Sequence, residues 1–454
     1  QYLCDVGLSY LTLDRQSRTL SGGEVQRVSL TTALGTALVN TLFVLDEPSI
    51  GLHPRDMHRV NQIMRRLTSA GNTLVVVEHD PQVMLAADRL IDLGPGAGVH
   101  GGQIVFDGST RNVLKSKTLT ASYLSGQRII TRRRPQTITP ETPRLVIKNA
   151  SEHNLKHIDV AFPMGALTVV AGVSGSGKST LIADILVPAL ERRLGKSTQV
   201  PGKFESLEGA LPHDILFVDQ SPIGRTTRSN PVSYVGSFEG IRRLFAKTPV
   251  AQQLGFGYAD FSFNQGKGRC PTCGGSGYEH VEMQFLSDVY LPCPTCQGKR
   301  YNSDALSVTI HLSDDRDYNI ADVLELTARE ALTLFRSYSH IALGLHYLCE
   351  VGLGYLKLGQ PLTTLSGGER QRLKLASALS SGLGQMHYGQ GKLFVFDEPT
   401  TGLHFSDTED FVKILDTLVA QGHSVIVIEH NLDVISTADW IIELGPEGGE
   451  KGGA

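Results

Sequence analysis

No stretch of about 18 uninterrupted apolar residues occurs in this chain. The opening Gln1-Tyr-Leu-Cys4 also lacks the basic flank and apolar run of a secretory leader. The expectation is a protein that neither spans a membrane nor is exported, and hence a cytoplasmic one. Charge of one sign is missing too: 42 Lys and Arg against 46 Asp and Glu leave a formal net charge of −4. That argues against coating nucleic acid by bulk attraction and leaves only local patches for such contact. Cysteine is scarce, six in 454 residues, and four of the six stand in C-x-x-C pairs. A metal site in a reducing compartment fits this better than a disulfide scaffold.

What is present is a folded composition, 41% hydrophobic and 19% charged, long enough for two to three domains. The most informative stretch is Gly172-Val-Ser-Gly-Ser-Gly-Lys-Ser-Thr180, which fits G-x-x-x-x-G-K-[ST] and follows the apolar run Ala166 to Ala171. In such a loop the glycines, here Gly172, Gly175 and Gly177, let consecutive N–H groups converge on one anion, with Ser174 between them. Lys178 reaches the β/γ phosphates, Ser179 offers its hydroxyl to Mg²⁺, and Thr180 continues into a helix whose N-terminus favours negative charge.

The chain also repeats itself. Tyr2-Leu-Cys-Asp-Val-Gly-Leu8 recurs as Tyr347-Leu-Cys-Glu-Val-Gly-Leu353, and Leu20-Ser-Gly-Gly-Glu24 as Leu365-Ser-Gly-Gly-Glu369, both 345 residues on. Asp46-Glu-Pro-Ser-Ile-Gly-Leu-His53 recurs as Asp397-Glu-Pro-Thr-Thr-Gly-Leu-His404, 351 residues on, as do Glu78-His79 and Gly94-Pro95. The six extra residues fall in the Gly-rich stretch Ser381 to Gly391, which reads as a surface loop. Two copies of one α/β unit therefore share a single phosphate loop. We expect both ends to have been trimmed from a longer protein.

Residues 22–35 have helical spacing behind Ser21, a good N-cap. Thr41 to Asp46 and Asn72 to His79 read as buried parallel strands, with Asp56 to Ala70 as the covering helix of a doubly wound sheet. Ile104 to Gly108 reads as a further strand. Residues 123–143 form a linker by composition, with Arg132-Arg-Arg134 either solvated or facing nucleic acid. Asp214 to Gln220 reads as another strand. Beyond it, nine Lys and Arg oppose five Asp and Glu over 221–300. The cations include Arg225, Arg228, Lys267, Arg269, Lys299 and Arg300, interleaved with Phe245, Phe256, Tyr258, Phe261, Phe263 and Phe285. Backbone contact with base stacking is one reading, and an Arg-rich surface over an aromatic core is the other.

Cys270-Pro-Thr-Cys273 and Cys293-Pro-Thr-Cys296, 19 residues apart, match C-x₂-C-x₁₅₋₂₀-C-x₂-C and can close a tetrahedron around Zn²⁺. Four protein ligands make the metal structural; an iron–sulfur centre or redox pair is the alternative. His280 reads as a solvated residue, and Cys4 and Cys349 as buried core thiols.

These motifs resemble a known family. Leu-Ser-Gly-Gly-Glu-x-Gln-Arg at 20–27 and 365–372 is similar to the signature of ABC-type ATPases. Leu-Phe-Val-Leu-Asp-Glu-Pro and Leu-Phe-Val-Phe-Asp-Glu-Pro look like their Walker B strands, His79 and His430 like their switch histidines, and Gln220 falls at their Q-loop. The narrower resemblance is to the UvrA family, damage-recognition subunits of bacterial excinucleases. It rests on Asp219-Gln-Ser-Pro-Ile-Gly-Arg-Thr226, Arg228-Ser-Asn-Pro231, Cys293 through Tyr301, and Ile91 through Gly102.

The resemblance implies an α/β fold of two P-loop ABC-type ATPase units, one incomplete, with a Cys4 zinc-binding insertion. Residues 1–122 would be the later part of the first unit, and 123–143 the linker. Residues 144–220 would be the phosphate-loop part of the second unit, 221–345 the insertion, and 346–454 the remainder. It implies one composite ATP site: Lys178, Ser179, Gln220, Asp397, Glu398 and His430 facing Ser21, Gly22 and Gly23. In that site Ser179 and Asp397 hold Mg²⁺, Glu398 acts on water, and His430 meets the γ-phosphate. Asp46, Glu47, His79, Ser366, Gly367 and Gly368 would belong to a second site. The partners implied are damaged double-stranded DNA, the second excinuclease subunit UvrB and a second copy of the protein. Rival readings are a transporter ATPase, a UvrA-like antibiotic-resistance protein, and a weakly catalytic module that ATP merely locks.

Overall fold

The computed structural model describes the chain apart from residues 1, 9–10, 15, 17–21, 36–37, 50–51, 53, 97, 99–100, 220, 222, 225–227, 282–288 and 384–390, and apart from the side chains of 5, 22–23, 26, 33–34, 54–56, 280–281, 289, 382–383 and 450. Two compact units emerge, Gln1–Gln220 with His387–Ala454, and Ser221–Met386.

In the first unit, uninterrupted apolar runs become the middle of a parallel sheet. Its strands lie in the order Trp440–Leu444, Leu167–Gly172, Ser424–Ile428, Leu393–Asp397 and Ile215–Val218. Leu167–Gly172 and Ser424–Ile428 are buried along their whole length, as parallel strands covered on both faces require. The register sets Asp397 beside Ile428 and Ile428 beside Val170. The carboxylate-bearing turn and the phosphate loop therefore leave the sheet at the same edge, where ligands of such sheets bind. The antiparallel strands Ile158–Pro163, Arg144–Ala150 and Ser206–Gly209 add Leu145, Ile147 and Phe162 to a core shared with Val170, Leu181, Ile185 and Ile426.

The earlier repeat copy lies in the same unit. Leu42–Asp46 pairs in parallel with Thr73–Val77, and Leu90–Gly94 pairs antiparallel with Gln103–Gly108. Helix Pro54–Ser69 covers the first pair through Met57, Val60, Ile63 and Leu67, one stripe at helical spacing. The segment expected to be a bare linker is pinned instead. Arg132 has a nearly inaccessible side chain that pairs with Asp416 at 3.0 Å and Asp439 at 2.7 Å, and Ile130 packs with Val412 and Val434. A composition rich in Arg and Pro says nothing about which carboxylates await it, and here two do.

The second unit brings together helices Ser237–Ala246, Ser339–Glu350 and Gly367–Leu383. Gly344 allows a close crossing, since a Cβ there would lie 2.5 Å from Ser237 Oγ, and that hydroxyl donates to the Ile341 carbonyl at 2.8 Å. The two thiols expected in cores are corrected: Cys4 is exposed and Cys349 only half-buried. Cys4 sits on a one-turn helix, Tyr2–Asp5. Cys349 follows the buried stripe Ile341, Leu345, Leu348 by one residue, which turns it about 100° off that face.

Candidate nucleotide site and metal centre

The strand Leu167–Gly172 ends in a loop whose Gly172, Gly175 and Gly177 all have positive φ, 135°, 76° and 102°, which a side chain would resist. Lys178 folds back over the loop, its Nζ donating to the carbonyls of Gly172 at 2.9 Å and Val173 at 3.0 Å. Burial pulls its ammonium down to about 8, against the pull of Glu398 and Asp397. Wide π-type turns follow over Thr180–Leu186 and pass into helix Val187–Arg193.

Across the sheet edge, burial and the adjacent Glu398 push the Asp397 carboxyl up to about 7. Glu398 itself sits in the left-handed region at φ 45°, a conformation costly for a non-glycine residue. It is held there by its N–H donating to the Ile428 carbonyl at 3.0 Å. His430 Nε2 lies 3.4 Å from Glu398 Oε1. Ser179 and Asp397 offer a hydroxyl and a carboxylate, hard oxygen donors that suit Mg²⁺, and a desolvated acid at this position gains from a cation.

The earlier copy repeats this geometry. Glu47 has φ 46°, its N–H meets the Val77 carbonyl at 2.8 Å, and His79 Nε2 lies 3.8 Å from Glu47 Oε1. Glu47, His79, Glu398 and His430 line one cleft of about 280 Å³. A Cβ on Gly402 would stand 2.8 Å from Glu47 Oε2, so the two carboxylate turns meet across that cleft.

Helix Gly22–Gly35 carries the earlier signature. Its Arg27, 1% exposed, donates to Ser174 Oγ at 3.2 Å, which lays this helix against the phosphate loop. Gly22 and Gly23 open that helix; Ser21 and Gln220 lie outside the described residues. In the second unit, Ser366 and Glu369 cap the other signature helix reciprocally, at 2.7 and 3.2 Å, with Gly367 and Gly368 in its first turn.

The four cysteines of the two C-x-x-C turns converge, their sulfurs all within 4.8 Å of one another. Cys273 Sγ accepts from the Gly277 N–H at 3.3 Å. Burial raises that thiol, but the Gly277 and Gly275 amides and the neighbouring cysteines more than offset it and bring it down to about 7. Four soft sulfurs brought this close together fit Zn²⁺. Strands Tyr278–Val281 and Val289–Pro292 join the two turns as a hairpin. His280's side chain lies outside the described set.

No family model matches the chain. Comparison with curated proteins gives 51% identity over 460 residues with UvrABC system protein A of Thermus thermophilus, and 50% over 459 with that of Methanothermobacter thermautotrophicus. Each alignment takes in all of this chain and 46% of the relative. The crystal structure of UvrA2 from Deinococcus radiodurans superposes on the whole chain with a TM-score of 0.90 at 44% identity, over 54% of its own length. The chain belongs to the UvrA family. It spans about half the length of the curated relatives it matches. A model of ribosome-bound archaeal Pelota and ABCE1, at 19% identity and TM-score 0.52, shares the ABC fold alone.

Within this UvrA-family chain the basic candidates divide. Lys267, Arg269 and Lys299 are exposed. Arg228 spends a donor on the Gly274 carbonyl at 3.0 Å. Arg300 is buried, donating to the Gly359 carbonyl at 3.0 Å and lying over Phe263; that placement takes it away from any phosphate backbone. Arg225 lies outside the described residues. Phe245, Phe256, Phe261 and Phe263 are core, Tyr258 is half-exposed, and Phe285 is not described. These four buried rings fill the interior and are withdrawn from any stacking on bases.

Sequence reading gave Glu78 and Glu429 no task. Glu429 accepts the N–H groups of Thr400, His430 and Asn431, at 3.1, 2.7 and 2.9 Å. Glu78 accepts those of Ser49, His79 and Asp80, at 2.9, 2.8 and 3.0 Å. Each carboxylate ties the turn after Asp-Glu to the turn carrying the histidine. Their shared displacement of 351 was the available signal.

Proposed function

We propose that this chain is an ATP-hydrolysing, DNA-binding part of a nucleotide excision repair protein, with ATP held between the phosphate loop 172–180 and the signature helix Gly22–Gly35. The observation that carries the reading is the bond from Arg27 to Ser174, which joins the signature of one copy to the phosphate loop of the other. Lys178 would exchange its bonds to loop carbonyls for the β/γ oxygens. Ser179 and Asp397 would hold Mg²⁺, which when bound neutralises charge on those oxygens. Glu398 would orient the attacking water and receive its proton as the new O–P bond forms and the β–γ bridge breaks, releasing ADP and phosphate. His430 would steady the γ-phosphate. The Cys4 centre would hold zinc in a purely structural role.

The same reading takes damaged duplex DNA as target, UvrB as partner of the intact protein, a homodimer as assembly and the cytoplasm as location. Lys267, Arg269 and Lys299 would supply part of the DNA contact. Among the described residues no helix is long and apolar enough to cross a membrane.

ATP turnover, measured with and without duplex DNA bearing a bulky lesion at fixed salt, tests it. Lys178→Ala should weaken ATP binding at least about 100-fold and Glu398→Gln should bind ATP but slow turnover about 100-fold or more. Wild-type turnover in either variant would overturn the site, and turnover indifferent to lesion DNA would overturn the repair assignment.

A further inference from the structure

We propose that the glycine-rich loop at 445–453 is a preformed template that holds the phosphate loop in its anion-binding shape, with Asn154, Gly448 and Gly449 as positioning residues. The inference rests on the reading that 172–180 binds the phosphates of ATP.

A loop that turns its N–H groups inward onto an anion must turn carbonyls outward, and those need partners. Here the loop at 445–453 supplies them. The Gly449 N–H donates to the Gly175 carbonyl at 3.0 Å. Asn154 Nδ2 donates to that same carbonyl at 3.0 Å and to the Gly449 carbonyl at 3.2 Å, tying the two loops through one amide. The Lys156 N–H closes the far end on the Gly453 carbonyl at 2.8 Å. Contact is backbone against backbone: a Cβ on Gly448 would fall 2.4 Å from the Ser174 carbonyl oxygen, and one on Gly452 3.2 Å from Ser176 Cα. Any side chain at Gly448 would push the phosphate loop away.

The described residues of the earlier copy, Gly98, Gly101 and Gly102, carry the same local features. Gly94-Pro-Gly-Ala-Gly-Val-His-Gly-Gly102 matches Gly445-Pro-Glu-Gly-Gly-Glu-Lys-Gly-Gly453 in its Gly-Pro start, middle glycine and Gly-Gly end. Gly101 N–H donates to the Gly98 carbonyl at 3.0 Å, as Gly452 does to Gly449 at 3.0 Å. The glycine at the middle position has φ 62° in one loop and 67° in the other, and the final glycine 75° and 84°. At its described residues Gly98, Gly101 and Gly102 the earlier loop keeps these features although its copy has no phosphate loop in this chain. A rigid partner lowers the ordering cost of anion binding, so it acts on affinity rather than on the chemical step.

The test is titration of the whole zinc-replete chain with a fluorescent ATP analogue and Mg²⁺, alongside kcat and KM for ATP. Gly448→Ala and Asn154→Ala should each raise Kd and KM about tenfold, from lost hydrogen bonds, with kcat within about threefold. Gly101→Ala, which strains the matching loop by placing a Cβ 2.5 Å from the Gly96 carbonyl oxygen, should leave nucleotide affinity unchanged. If Gly448→Ala fails to fold, Asn154→Ala adds no bulk and decides the matter. Wild-type affinity in both variants would overturn the template while leaving the ATP site intact. A fall in kcat at constant KM would also overturn it. Absence of ATP binding by the unsubstituted chain would instead remove the ATP reading beneath it.

Discussion

Leu42-Phe-Val-Leu-Asp46 and Leu393-Phe-Val-Phe-Asp397 differ at one position, yet water treats them differently. The later strand is flanked on both sides and its first four residues are buried. The earlier one has Thr73–Val77 on one side only among the described residues, and its Leu42 and Val44 are 59% and 65% exposed. The turns that follow are nonetheless alike: Glu47 and Glu398 share a left-handed φ and an N–H bond across to the neighbouring strand, and each faces its histidine. One parallel strand pair and one buried-end glutamate are enough to set that geometry. Burial acts on the electrostatics of both, raising Asp397 and lowering Lys178 in the enclosed copy and raising Glu47 in the earlier one.

Removing core volume should widen the contrast most. Phe396 is fully buried, and Phe396→Ala is expected to cost about 3–5 kcal/mol through lost transfer energy and a cavity. Its counterpart Leu45 is half-buried, so Leu45→Ala should cost about 1–2 kcal/mol. Denaturant midpoints of the two variants measure both, and equal losses would mean that the earlier strand is as enclosed as the later.

Next come the two glutamates that tie the turns. Glu429 is buried, and besides its three N–H donors it accepts from the Thr400 hydroxyl. An amide in its place would set an NH₂ against donors. Glu429→Gln should therefore cost about 2–3 kcal/mol, the penalty of a buried unsatisfied group, and slow turnover by loosening His430. Glu78→Gln, partly open to water, should cost about 1 kcal/mol. Thermal unfolding and steady-state ATPase rates on the same preparations check the pair; an equal loss in both copies would show that burial does not grade the effect.

Much of this was legible in the residues because it depends on local chemistry. The phosphate loop, the carboxylates at strand ends and the cysteine turns each need particular residue types at fixed spacing, and the structure sets them at one sheet edge and in one four-sulfur cluster. The repeat offset carried the α/β order as well. What escaped was long-range pairing. Arg132 reads as solvated until Asp416 and Asp439 close on it, and Arg300 reads as basic surface until it is seen bonded to Gly359. Arg27 sits 147 residues from the Ser174 it reaches, a separation that no spacing rule within a helix anticipates. The side a one-turn helix turns outward, as at Cys4, depends likewise on what packs beside it.

The smallest effect sharpens the comparison from the other side. Val44 points an apolar side chain into solvent from a strand that, among the described residues, is paired along one edge only. Val44→Lys changes no buried contact, so stability should stay within about 0.5 kcal/mol of the unsubstituted chain. The charge should, however, discourage strand-to-strand association at that edge. Sedimentation velocity across a concentration series reads the second effect, and a denaturation midpoint the first. A loss above about 1 kcal/mol would mean that something covers Val44 in solution, because a lysine inserted into a packed face must bury its charge or displace its neighbour. An unchanged midpoint with weaker self-association would establish that the earlier copy keeps its carboxylate turn in place with one face of its strand pair left open to water.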